Sequence, residues 1–398
     1  MDIRTLHDAD MTHKVVMTRL DLNVPVNDKR EVTDTTRITR SVPTLRHILD
    51  AGGKPVIMSH FGRPKGKMVA GMSMRFLTQT LERHLNTRVQ FADDSIGGAA
   101  QRAIAAAQPG EVVLLENTRF HPGEEKNDPD YARQLADLGD IFVPDAFSCA
   151  HRAHASTEGI AAYLPSYAGV AMAAEIQALQ AALATPKRPV LAVVGGAKIS
   201  TKLPVLRHLV TKVDGLIIGG GMANTFLLQR GVQIGNSLAE PDMIGLVEQI
   251  QDEAIQSGCR IILPIDVRCA RAFQAGADYR DVSVDAVADD EMILDAGPKT
   301  VALLEQEFDQ AATVLWNGPL GAFEIPPFDH ATKAAAQYVA KRTNEKKLTS
   351  VAGGGDTVAA LAAADADEAF SYVSTAGGAF LEWLEGKTLP GVAILYQS

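Results

Sequence analysis

The sequence predicts an α/β protein made of two tandem units, each a parallel sheet covered by helices on both faces. Three observations lead there. Short Val-, Ile- and Leu-rich runs alternate with segments of helical apolar spacing along nearly the whole chain. Strands separated by helices make parallel sheets, because each return to the same sheet edge needs a crossover. And 398 residues exceed what one hydrophobic core usually fills, so two domains are expected.

In the first half the strand candidates are "KVVMTRLDL", "GKPVIMSH", "VVLLENTRF" and "DIFVPDAF". Leu77, Leu81 and Leu85 recur at helical spacing, and Asp128 followed by Pro129 is a cap and first-turn pair. The join is the stretch "AAEIQALQAALATPKRP", 173–189, an apolar helix with an exit at Pro186 and Pro189. The first unit is therefore 1–172 and the second begins at 190. Its strand candidates are "PVLAVVGG", "VDGLIIGGG", "RIILPIDV", "ATVLWNG", "LTSVAGGG" and "FSYVSTAGG".

Composition narrows the function. A net charge of −10 argues against a general nucleic-acid or membrane-surface binder. Cys149, Cys259 and Cys269 are too scattered for a disulfide framework, which points to a reducing, cytoplasmic setting. The opening "MDIRTLHDADMTHK" carries acids and no apolar core, so it is not read as a signal peptide. No apolar run approaches the ~20 residues that span a bilayer.

Polar residues and glycines gather at the carboxyl ends of the strands, where open α/β sheets bind ligands. One ligand site per half is expected. In the first half Arg19, Arg37, His60, Arg63, Arg119 and Arg152 fall at or near such ends. Any one arginine could belong to a solvated rim. Six at equivalent edges point to an anion pocket, since guanidinium groups match carboxylate and phosphate oxygens in pairs. Asp21 and Asn23 add an acceptor and an amide that could orient hydroxyls. "CAHRAHAS" also admits a Cys149–His151 nucleophile pair or a His151–His154 metal pair. Neither has support: the thiol pair lacks a partner to orient it, and Arg152 would repel a metal. Arg152 is read as the anion ligand, with Cys149 as packing.

In the second half neither G-x-x-x-x-G-K-[ST] nor a G-x-G-x-x-G after a strand occurs. Four glycine-bearing strand ends stand instead: "GGAKISTK", "IGGGMANTF", "WNGPLGAFE" and "GGGDTVAA". With Lys198 and Lys202 four apart on one expected helical face, they suggest a nucleotide laid across the strand ends. Asp356 stands where a helix start would receive an anion. It is either a helix cap or the holder of a cation that holds the phosphate.

The ordered motifs "RLDLNVP", "SHFGRP", "LLENTRF", "DAFSCAHRAHAS", "GGAKISTK", "GGGMANTF", "DAGPKT", "WNGPLGAFE", "GGGDTVAA" and "FLEWLEGKTLPGV" closely resemble the successive signatures of the phosphoglycerate kinases, from about residue 15 to about 391. The resemblance implies two Rossmann-like domains joined by a hinge helix. The tail 386–398 would return to the first domain, leaving 190–385 as the nucleotide domain. It implies reversible phosphoryl transfer between 1,3-bisphosphoglycerate and ADP, giving 3-phosphoglycerate and ATP, by a monomer that closes about its hinge. By position, Asp21, Asn23, Arg37, His60, Arg63, Arg119 and Arg152 match 3-phosphoglycerate ligands. Lys202, Gly220, Gly221, Glu324, Gly354, Gly355, Asp356 and Thr357 match nucleotide ligands, with Glu324 at the ribose and Gly220 and Gly221 near the adenine. Asp356 matches the residue that holds Mg²⁺. Arg37, Lys198, Lys202 and the backbone near Gly354 and Gly377 would act on the transferring group. In this family Ala376 is often glycine. A positive φ there would strain alanine, and otherwise its N–H remains a donor. Asp295-Ala296-Gly297-Pro298 departs from the usual motif only in apolar bulk. Two other classes stay open: another acyl-phosphate enzyme or ATP-dependent ligase of the same fold, and a two-lobed anion-binding protein without chemistry.

Overall fold

Residues 3–396 are described by a computed structural model. The first five strands are β1 (Val15–Arg19), β2 (Lys54–Met58), β3 (Val89–Phe91), β4 (Val112–Leu114) and β5 (Ile141–Pro144). They form one parallel sheet in the order β3-β4-β2-β1-β5. Pairing is continuous across the middle, with Val16 opposite Pro55 on one side and Ile141 on the other.

Strand side chains alternate between faces, and here both faces are buried. Val56 and Met58 pack with Met17, Val113 and Phe142 beneath the helices Gly97–Ala106 and Pro129–Ala136. Ile57, between them, packs with Leu45 and Leu81 beneath Thr36–Asp50 and Thr78–Leu85. That is why these strands read as unbroken apolar runs. Leu77, Leu81 and Leu85 are all buried, Leu77 in the short 3-10 turn that leads into its helix. Asp128 caps the Pro129–Ala136 helix by accepting from Tyr131 N–H at 2.9 Å.

Beyond residue 189 come β6 (Val190–Val194), β7 (Gly215–Ile218), β8 (Arg260–Ile262), β9 (Asp266–Ala270), β10 (Tyr279–Ser283), β11 (Met292–Ala296), β12 (Thr313–Asn317), β13 (Thr349–Gly353) and β14 (Tyr372–Ser374). Six of them form a second parallel sheet, β14-β13-β12-β6-β7-β8. Leu191, Val193, Val314 and Trp316 pack on one face with Phe308 and Val339, from the helices Pro298–Gln310 and His330–Asn344.

A small antiparallel sheet, β10-β9-β11, was not expected. "RIILPIDV" reads as one strand but holds all of β8 and the start of β9. Pro264 separates them, because proline cannot donate to a ladder.

The chain divides into two compact units. One runs up to Ile176 and takes in the chain from Thr388 onward, and the other is Gln177–Lys387. The helix Val170–Leu179 carries the first crossing and widens into a π-helical turn, Gln180–Ala184. In the first unit the C-terminal segment is tied down by Gly391 N–H donating to Ala150 O at 2.9 Å and by Arg4 N–H donating to Leu395 O at 3.0 Å.

Candidate active site

In the first unit the polar residues that follow β1, β2, β4 and β5 meet at one end of the sheet. Asp21, just past β1, accepts from Arg37 Nη1 at 2.6 Å and from Ser148 Oγ at 2.6 Å. Arg37 lies in the first turn of the Thr36–Asp50 helix, and its side chain is 42% exposed. Asn23 Oδ1 accepts from Gly62 N–H at 3.0 Å, and its carbonyl accepts from Arg37 Nη1 at 3.2 Å. Asn23 therefore ties the loop after β1 to the loop after β2, and both to Arg37. His60 is 5% exposed. Arg119 is equally buried, donates to Gly62 O at 2.9 Å, and has Nε 3.2 Å from Glu125 Oε1, out of line for a hydrogen bond. Arg152 is half-buried and donates through Nε to His151 at 3.1 Å. Arg63 is exposed, with no hydrogen bond or ion pair to the described residues.

The charges converge. Burial first, then Arg19, Arg119, Arg152 and His154, hold His60 far below the usual imidazole range, so the ring is neutral. Burial and the same arginines push His154 down to about 4. Burial also lowers Arg119, against the pull of Glu125. Among the described residues the pocket thus has unbalanced positive charge and no group placed as a general base.

Arg19 departs from its expected place in that pocket. It is 1% exposed and spends its donors on Ser156 Oγ, Leu20 O and His60 Nδ1. Asp21, His60 and Cys149 offer three potential metal-ligand atoms within 4.8 Å of one another. Cations already sit among them: Arg37 on Asp21, and Arg19 on His60 and near Cys149 Sγ at 3.8 Å. Burial pushes the Cys149 thiol up, away from a reactive thiolate.

In the second unit a cavity of about 540 Å³ opens at the strand ends, lined by Gly196, Gly220, Gly221, Leu238, Glu324 and Asp356 among others. Backbone proximity requires its glycines. A Cβ on Gly220, whose φ is +66°, would lie 2.6 Å from Gly196 O, and one on Gly221 would lie 2.5 Å from Ala197 O. Glu324 and Lys198 are exposed. Lys202 Nζ donates to Asn317 Oδ1 at 2.5 Å, and burial pushes it down to about 8, with Asp356 pulling the other way. The same Asn317 donates to Gly353 O at 2.7 Å, so one amide links Lys202 to the end of β13.

Three local expectations change. Lys198 and Lys202 do not share a helical face: they flank the 3-10 turn Ile199–Thr201, and the helix starts only at Leu203. Asp356 is not the helix cap. That position is Gly354, at φ +102°, and Gly355 opens the helix Gly355–Ala363. Thr357 is 1% exposed, and its Oγ1 accepts from Gly318 N–H at 2.7 Å, which pins the loop after β12. Ala376 does not have a positive φ, so it is unstrained, but its N–H is taken by Ser374 Oγ at 3.2 Å. Gly377, at φ +53°, precedes the helix Gly378–Leu384. Sequence reading missed Ser148, Glu124 and Asn317. Only Asn317 carried a signal, as a polar residue closing an apolar strand.

The phosphoglycerate kinase family model matches residues 6–387. A phosphoglycerate kinase from Cereibacter sphaeroides is 60% identical over 396 residues, covering 99% of this chain and all of the relative. One from Rhodospirillum centenum is 59% identical over 395 residues, with 99% and 100% covered. The solved phosphoglycerate kinase from Coxiella burnetii superposes with a TM-score of 0.93 at 42% identity, covering 99% of each chain. A family model spanning nearly the whole chain, near-full-length relatives and a matching fold agree: this chain belongs to the phosphoglycerate kinase family.

Proposed function

We propose that the chain catalyses reversible phosphoryl transfer between 1,3-bisphosphoglycerate and ADP, giving 3-phosphoglycerate and ATP. The acceptor would bind at the ends of β1, β2, β4 and β5, on Asp21, Asn23, Arg37, His60, Arg63, Arg119 and Arg152. The nucleotide would lie on Lys202, Gly220, Gly221, Glu324, Gly354, Gly355, Asp356 and Thr357, the last through backbone. The observation that carries this reading is the cationic first pocket with no general base. In the ATP-consuming direction the nucleophile is a carboxylate with a pKa of roughly 3.5, already ionised at neutral pH. It needs alignment and charge neutralisation, not proton removal. Arg37, Lys198, Lys202 and the backbone near Gly354 and Gly377 are assigned to the charge that spreads over the transferring phosphoryl oxygens.

Mg²⁺ fits the second site. It usually takes one or two carboxylates together with substrate phosphates and water. Asp356 is one exposed carboxylate in the first turn of a glycine-backed helix, near Lys202. Asp356 would hold the ion with the nucleotide, where it would offset phosphate charge. The same reading makes the protein a cytoplasmic monomer with no nucleic-acid or membrane partner. In support, no described helix is long and apolar enough to cross a membrane, and the three cysteines are free and buried. A coupled assay for ADP release tests the function. Turnover should require ATP, 3-phosphoglycerate and Mg²⁺ together, and a folded protein with no turnover under those conditions would refute it.

A further inference from the structure

Arg19 ends β1 one step behind the proposed acceptor pocket, and it is 1% exposed. Its Nη2 lies 3.0 Å from His60 Nδ1. Arginine has no acceptor and keeps its proton, so Nδ1 must accept and the ring proton must sit on Nε2. Among the described residues nothing accepts from Nε2. Behind Arg19 the donors continue. Its Nε donates to Ser156 Oγ at 2.9 Å, and Ser156 Oγ donates to Glu124 Oε1 at 2.5 Å. Glu124 is fully buried and also accepts from Ser156 N–H at 3.0 Å and Thr118 Oγ1 at 3.2 Å. The buried guanidinium thus meets its counter-charge through one serine, and every link has a fixed direction.

We propose that Arg19 is a positioning residue: through the chain Glu124–Ser156–Arg19–His60 it holds His60 as the neutral tautomer protonated on Nε2, so that the ring donates a hydrogen bond to an oxygen of the acceptor substrate. This rests on the acceptor site proposed above. The other neutral tautomer would turn a lone pair toward an anion. The imidazolium would set an Nδ1–H against the N–H of Arg19. Arg119, Arg152 and His154 act on the ring from the loops after β4 and β5, and the Asp21 carboxylate and Cys149 thiol lie beside it. Ser156 stands four residues after Arg152, so the chain also fastens that arginine's loop to β1.

The test reads the tautomer directly. In full-length protein labelled with ¹⁵N-histidine, without substrate, His60 should show a protonated Nε2 and a bare Nδ1. Both signals should stay unchanged between about pH 5.5 and 8.5. In Arg19→Met, a neutral chain of similar length, burial with Arg119, Arg152 and His154 should still keep His60 neutral, but the tautomer should no longer be fixed, and Nδ1 should carry the proton in part of the molecules. The KM for 3-phosphoglycerate should rise on the order of tenfold, while kcat and the KM for ATP stay within about twofold. Wild-type His60 that titrates in this window, or carries its proton on Nδ1, overturns the proposal. So does a folded Arg19→Met with an unchanged 3-phosphoglycerate KM, or with both KM values raised alike. If that variant does not fold, Ser156→Ala should shift the same KM in the same direction, by less, and no shift overturns it. Failure of the functional reading is separate: it appears as absent wild-type turnover, with the tautomer unaffected.

Discussion

Arg37 gives the clearest expectation at the scale of the single residue. Its guanidinium is tethered to Asp21 at 2.6 Å and to the Asn23 carbonyl, yet 42% of the side chain stays open. Such a half-exposed pair contributes little to stability, about 1 kcal/mol or less. Arg37→Ala should therefore leave the melting temperature nearly unchanged. It should lower kcat on the order of 10³-fold, as for other arginines on a transferring phosphoryl group. Steady-state kinetics decide, and a variant retaining a third of its kcat would show that Arg37 serves only to bind. Asp356→Asn is the second case. Since Gly354 holds the cap position, the change should cost the helix start only the first-turn charge, about 0.3–1 kcal/mol. Activity should fall and partly return at high Mg²⁺, and an unaltered Mg²⁺ dependence would remove the metal role. Both residues are nominated by the sequence alone, from residue type and a motif placed near the carboxyl edge of a sheet. Arg19 was nominated for the pocket in the same way and is misplaced there: its position matched that of the other arginines, and only burial separates a side chain turned into the protein from one left open at the strand ends.

At the scale of the element, the start of the Val170–Leu179 helix rests on a buried acid. Asp145, next after β5, accepts from Met172 N–H at 2.9 Å, while Val170 N–H donates to Thr44 Oγ1 at 2.8 Å. Gly169 allows the approach, since a Cβ there would meet Asp145 Oδ1 at 2.3 Å. Burial pushes Asp145 up to about 7, only partly offset by hydrogen bonds from Thr44, Met172 and Ala171. The sign follows. Below about pH 4 the carboxyl is protonated folded or unfolded and contributes no pH dependence. From there to about pH 7 the unfolded chain ionises more readily, so stability falls, and the full penalty is present above that range. Asp145→Asn should gain on the wild type as pH rises, by a few kcal/mol at about pH 8 relative to pH 5. Urea midpoints at the two pH values measure this, and a constant difference would show that Asp145 does not titrate there. None of this could be read from the motif, because a carboxylate's partners are set by the helix that packs over it. Element types fared better than boundaries. Central strands buried on both faces stand out as apolar runs, whereas β3 has three residues, and β10, at the edge of the small antiparallel sheet, carries mostly exposed polar residues.

At the scale of the whole molecule, the question is how two separate sites perform one transfer. Every residue proposed for the acceptor lies before residue 160, and every one proposed for the nucleotide lies after residue 194. The chain crosses between its units at Ile176–Gln177 and again at Lys387–Thr388. Direct transfer requires reacting atoms within about 3–3.5 Å, and water reaching them would compete for the phosphoryl group and screen the arginines. A closing motion with both substrates bound meets both demands. The Val170–Leu179 helix, with its wide turn at Gln180–Ala184, is the proposed first hinge, and the crossing at Lys387–Thr388, rather than the stretch Ser374 to Gly378 inside the second unit, is the proposed second. One substrate alone can bias closure only through contacts it makes with both units, so the response should be largest with the pair. Small-angle scattering of the full chain measures it. The radius of gyration should be greatest without ligands, fall slightly with either 3-phosphoglycerate or Mg²⁺–nucleotide, and be smallest in the ternary complex. The ternary state must be held unreactive with a non-hydrolysable ATP analogue, since turnover would mix the four states. If the enzyme is active and the radius is the same in all four, closure is not the step that brings the substrates together. Transfer would then have to occur in a conformation already formed without ligands.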